Sequence, residues 1–224
     1  MQNRKDYDSA HLIKIQLFTR TKPRLGEDSM HGLIFAELKK YVETKFDSKT
    51  WEALLEKAGL KSNLYLAASI YPDRDLLSLV TTACQMTGLA PKAILEDFGD
   101  FIAPDLIRQY EFLIKPEWSL VDFLCNTEDT IHKVLRFHAG VTPPRLVVRR
   151  VADDRVTISY DSQRKMCALL KGIVKGTAKH YSKSVTIVES RCMLQGDPEC
   201  TVHVQVQAAK ETATSPARKA AAPH

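Results

Sequence analysis

Two adjacent prolines, Pro143 and Pro144, separate two stretches of different hydrophobic period. Proline removes a backbone donor and restricts the residue before it, so a helix is expected to stop there. Upstream, apolar residues recur at helical spacing. Leu33, Ile34, Leu38, Tyr41 and Val42 form one stripe, Trp51, Leu54, Leu55 and Ala58 a second closed by Gly59, and Leu76, Leu77, Val80 and Cys84 a third. Pro91 is placed to open a further helix carrying Ile94, Leu95 and Phe98 up to Gly99. Ser119 suits the N-cap of a helix reaching Phe137, closed by Gly140 and the two prolines. Downstream, residues 145–150, 156–164, 185–191 and 201–206 alternate or are β-branched and read as strands. An amphipathic helix over 165–181 separates the second from the third, and Gly196-Asp197-Pro198 marks a turn between the last two. The pattern predicts an α+β fold: an N-terminal helical subdomain, then a helix plus antiparallel sheet.

The ends differ from this body. Residues 1–29 hold six Lys or Arg against four acidic residues and one alternating stretch, Ile13, Ile15 and Leu17, that suits an edge strand. They read as an extension, with the patterned domain running over 30–207. Residues 208–224 are small residues, proline and charge without apolar period, the composition of a disordered tail. The net charge of +5 is held mostly by these ends, which argues against a basic nucleic-acid-binding face. No window is apolar enough for a membrane span. The first apolar run, 11–18, is broken by Lys14 and Gln16 and does not read as a secretory signal. Five cysteines, an odd number, argue for a reducing compartment, so a cytoplasmic location is expected.

Chemistry concentrates in two places. Tyr160, Ser162 and Arg164 fall at strand period two, placing two hydroxyls and a guanidinium in line for a carboxylate or phosphate. The same pattern also suits a solvated edge strand. His132 lies within the 119–137 helix among Val121, Cys125, Ile131 and Leu135, where an imidazole either ligates a metal or packs at the core boundary. No Gly-rich phosphate loop, Ser/His/Asp arrangement or assignable carboxylate pair is visible, so an enzyme is not expected.

In this order the motifs resemble the H-NOX (haem–nitric oxide/oxygen binding) family, related to the sensor domain of soluble guanylate cyclase. The resemblance covers about residues 30–207: MHGLIF from Met30, TWEALLEKAGL from Thr50, DTIH ending at His132, TPPRL from Thr142, and Y-x-S-x-R at Tyr160, Ser162 and Arg164. It implies a pocket enclosing haem b. His132 would be the axial ligand, Tyr160, Ser162 and Arg164 would bind the propionates, and Pro144 and Ile34 would press on the porphyrin. A gap-free count from Phe123 places Ile131 at the family's histidine position, while members with one more residue before it align with His132.

The family's distal tyrosine and tryptophan positions fall on Leu169 and Leu38. An apolar distal pocket offers bound oxygen no hydrogen bond, so the resemblance implies a nitric oxide sensor that excludes oxygen. It further implies signalling to a separate partner, such as a histidine kinase or a cyclic-dinucleotide enzyme. Some bacterial members hold a structural zinc, and Cys192 and Cys200 match half of that site. The matching histidine is Glu189 and the matching helix cysteine Leu169, with Cys167 two residues away. Two firm ligands are too few for closed tetrahedral zinc, so free or redox-active thiols are expected. The alternative reading is a haem-free module of the same fold that senses redox state, metal or another small ligand.

Overall fold

The structure, a computed structural model, describes residues 29–61, 64–138 and 142–208. Residues 1–28 of the expected extension, with its edge strand, Gly140, and residues 209–224 of the expected tail lie outside them. A short strand, β1 (Ser29–His31), pairs antiparallel with β2 (Ile70–Pro72). Ser29 therefore belongs to the folded domain, one residue earlier than the sequence suggests.

The helical half contains α1 (Gly32–Lys45), α2 (Ser48–Lys57), α3 (Asp73–Thr87) and α4 (Pro91–Gln109). Local chemistry sets their starts. Asp47 caps α2 through the Thr50 amide at 2.7 Å, α3 carries Asp73 and Asp75 in its first turn, and Pro91 opens α4. In α3 the buried stripe is Leu76, Leu79 and Val80, whereas Leu77 is half-exposed. The i, i+3, i+4 spacing from Leu76 selects Leu79.

Two helices depart from the sequence reading. First, α4 does not stop at Gly99 but runs through it and Pro104 to Gln109. The glycine serves packing: α4 lies against α7 (Cys167–His180) at near backbone contact. A Cβ added at Gly172 would overlap the Glu96 carbonyl oxygen, and one at Gly99 would overlap that of Leu169. Second, the expected 119–137 helix is divided into α5 (Leu120–Asn126), a π-helical turn (Glu128–His132) and α6 (Lys133–His138). Ser119 does cap it, with a capping box to Asp122. The His132 amide reaches back five residues to the Thr127 carbonyl at 3.1 Å. A π turn absorbs one extra residue, so a gap-free residue count along this helix loses register there.

The sheet half is a four-stranded antiparallel sheet in the order β3-β4-β6-β5, with β3 (Arg145–Ala152), β4 (Arg155–Asp161), β5 (Lys183–Arg191) and β6 (Cys200–Ala208). Strand β4 ends at Asp161, not at Arg164. Ser162 and Arg164 lie in the following turn, where the Lys165 amide donates to the Ser162 carbonyl at 2.9 Å and Lys165 has φ of 50°. Two apolar cores result. One joins the sheet to α5 and the outer side of α7; the other fills the helical half around Phe35, Trp51, Leu79 and Phe98. Helix α7 feeds both, giving Val174 and Ala178 to the first and Leu169 to the second.

Candidate functional site

A cavity of about 240 Å³ lies where the two cores meet. Its lining is overwhelmingly apolar and comes from α1, α4, α5, the π turn, the sheet and α7. His132, Tyr160, Ser162, Arg164, Pro144, Ile34 and Leu169 all line it. Leu38 does not: it lies one turn beyond Ile34 on α1 and is buried in the helical core. Ile131 and His132 both line the wall, so the π turn presents consecutive residues to the same space.

Two histidines border the cavity, and their hydrogen bonds give them opposite tautomers. His31 accepts the Leu33 amide at Nδ1 (3.2 Å) as the N-cap of α1, which places its proton on Nε2; burial also lowers its pKa. His132 Nδ1 lies 2.9 Å from Glu128 Oε2. An ionised carboxylate only accepts, so Nδ1 carries a proton, and in the neutral ring Nε2 then holds the lone pair a metal needs. Burial opposes ionisation of Glu128, but hydrogen bonds from His132, Arg136 and the Leu146 amide outweigh it and hold the carboxyl below its usual range. Sequence reasoning missed both Glu128 and His31. The i, i+4 spacing of Glu128 and His132 was the available signal.

Tyr160, Ser162 and Arg164 are already hydrogen-bonded within the protein. Arg164 donates through Nε to Asp73 Oδ2 (2.7 Å), and its terminal nitrogens reach the Thr142 carbonyl (2.7 Å) and the Ser29 carbonyl (2.6 Å). The Tyr160 hydroxyl accepts the Met166 amide at 3.1 Å, and burial pushes the phenol up to about 12. Ser162 Oγ accepts the Arg164 amide at 3.3 Å. The three residues therefore converge through a turn rather than along one strand face. Tyr110 also lines the cavity, a phenol the sequence did not place there.

A second cluster lies behind α7. Cys167, Glu189, Cys192 and Cys200 hold their ligand atoms within 4.8 Å of one another. The helix contributes Cys167, not Leu169, because Leu169 faces the cavity while Cys167 packs into the sheet core. Burial pushes the Cys167 and Cys200 thiols up. The Glu189 carboxylate is held by the buried Lys171 ammonium at 2.9 Å, and Lys171 also faces Glu96. Three thiols and a carboxylate meet the four-ligand count of a tetrahedral ion.

Fold and site together define a domain that encloses an apolar cavity between a helical and a sheet half. The chain belongs to the haem-NO-binding family, whose model matches residues 31–189. This is a family of haem-based gas sensors, in which the domain senses and does not itself catalyse. The fold is similar to an H-NOX protein from S. oneidensis solved in the Fe(II)NO ligation state, with TM-score 0.74 and 23% identity over 80% of this chain and 99% of that one. It is also similar to an Fe(II) unliganded H-NOX protein from K. algicida, with TM-score 0.70 and 19% identity over 83% of this chain and 100% of that one. Among curated proteins it is 24% identical to Soluble guanylate cyclase 89Db of Drosophila melanogaster, over 68% of this chain and 23% of that protein. It is likewise 24% identical to Soluble guanylate cyclase gcy-32 of Caenorhabditis elegans, over 78% of this chain and 26% of that protein. The chain thus spans about a quarter of the length of these curated relatives. No helix among the described residues is long and apolar enough to cross a membrane.

Proposed function

We propose that this chain binds haem b and senses nitric oxide, excluding oxygen. The observation that carries the reading is His132, which lines an apolar cavity with its Nδ1–H donating to Glu128. The donor set fits haem: an imidazole in one wall, and a guanidinium with two hydroxyls at another for the propionates. Bound haem would supply an iron centre that takes a diatomic gas. Pro144 and Ile34 are cavity residues and would press on its face. Leu169 offers a ligand no hydrogen bond, which disfavours oxygen and is neutral toward nitric oxide. Movement of His132 would shift the α5–α6 segment, a two-state element able to bias a separate partner. A histidine kinase or a cyclic-dinucleotide enzyme is the class of partner proposed, and the free cysteines support a cytoplasmic setting. The sensor domain would run from Ser29, the first residue of β1, to Ala208 at the end of β6, with the residues before Ser29 an extension.

The test is the absorption spectrum of the full chain expressed with a haem supply, reduced without air and then exposed to nitric oxide or oxygen. A Soret band that shifts with nitric oxide and ignores oxygen is expected. A stable oxygen complex in air overturns the selectivity, and absence of a Soret band overturns haem binding.

The thiol cluster favours a second reading, in which the module responds to a thiophilic divalent ion such as zinc. Cys167, Cys192 and Cys200 would be the principal ligands, and Glu189 would have to exchange Lys171 for the metal.

A further inference from the structure

Glu128 occupies a junction that ordinary helix-surface chemistry does not require. Its Oε2 accepts both His132 Nδ1–H at 2.9 Å and the Leu146 amide of β3 at 3.1 Å, while Oε1 accepts Arg136 at 2.5 Å. Arg136 also reaches the Pro144 carbonyl at 3.5 Å. Leu146 in turn is the register partner of Tyr160 on β4. One carboxylate thus ties the cavity histidine to the strand beside the anion-binding tyrosine. Glu128 and His132 lie four residues apart on the π turn, beside the start of β3.

We propose that Glu128 is the positioning residue of His132. It fixes the ring's tautomer and orientation and, by drawing on the Nδ1 proton, makes Nε2 a stronger donor to an iron centre. This rests on His132 being the axial ligand. The physical basis is general: a metal-bound imidazole whose second nitrogen donates to a carboxylate is oriented and made more basic. Glu128 does so with an oxygen that the Leu146 amide also holds, so the ring is referenced to the sheet and not only to its own helix. A chain with this contact resists release of its histidine from iron more than one without it.

The experiment is resonance Raman spectroscopy of the reduced, haem-loaded full chain and its Glu128→Gln variant. The amide keeps the side chain's length and an acceptor for Leu146, but removes the charge. The iron–histidine stretching band is expected to fall to lower frequency, with haem affinity reduced by about 10- to 100-fold. An unchanged band in the folded, haem-loaded variant overturns the proposal, because loss of packing alone would not leave the ligand field intact.

A second comparison leaves Glu128 untouched. In His132→Gly, added imidazole can donate an N–H to Glu128, whereas 1-methylimidazole cannot. Imidazole is expected to restore the haem spectrum at the lower concentration; equal potency overturns the proposal. If His132→Gly keeps the native spectrum with neither compound, the ligand assignment itself fails, and the role of Glu128 fails with it.

Discussion

Arg164 Nε donates to Asp73 Oδ2 at 2.7 Å, joining the turn after β4 to the first residue of α3 across 91 positions of chain. Both side chains are largely buried, at 12% and 14% exposure, and the same guanidinium holds the Thr142 and Ser29 carbonyls. The two halves of the fold are thus pinned at the cavity wall by the residue proposed to bind a propionate.

Arg164→Ala should act on stability and on haem together. Removing one member of a largely buried ion pair costs about 3 kcal/mol, read as a lower urea midpoint. Haem loss to an acceptor protein should be faster. Asp73→Asn removes the internal competitor for the guanidinium, so haem loss there should be no faster than in the parent chain.

Helix α7 approaches α4 this closely because Gly172, like Gly99 and Gly176, has no side chain. The obstacle to a larger residue is backbone, the Glu96 carbonyl, which cannot rotate away. Gly172→Ala should therefore destabilise by about 1–3 kcal/mol, lowering the melting temperature by about 2–4 °C per kcal/mol for a chain of this size. A thermal melt checks it.

Acid should weaken the fold through Glu189. Burial raises its pKa, but the hydrogen bond and charge of Lys171 outweigh it and bring the carboxyl below its ordinary 4.5. A carboxyl depressed in the folded state contributes stability above its unfolded value and loses it as pH falls through the folded one. Urea midpoints measured from pH 7 down to 3 should fall at the acid end, and Glu189→Gln should show a shallower fall.

Zinc binding at the thiol cluster should strengthen with pH. Burial pushes the Cys167 and Cys200 thiols up, so binding must expel their protons. A chelator-competition titration should give tighter binding at pH 8 than at pH 6.5. Cys192→Ala should abolish it, because that leaves two thiols and a carboxylate already held by Lys171.

The α+β layout was legible because periodicity is a local property: a helical stripe or an alternating strand is written in consecutive residues. The Ser119 cap and the Pro91 start were legible for the same reason. Gly99 misled as a stop, since only the neighbouring α7 backbone explains a glycine inside α4. Tyr160, Ser162 and Arg164 were found as a motif, although strand period was the wrong geometry for the last two, which reach the cavity through a turn.

The sequence by itself determined where helices give way to strands, and which residue types are available for an axial ligand and for anions. Tertiary structure decided who meets whom. It placed Cys167 rather than Leu169 beside Cys192 and Cys200, kept Leu38 out of the cavity, and joined Asp73 to Arg164. It also widened the chain at Glu128–His132 into a π turn that puts Ile131 and His132 on the same cavity wall. Such outcomes depend on how helices pack and where one turn widens, and a side chain's distant neighbours leave no period in the chain that carries it.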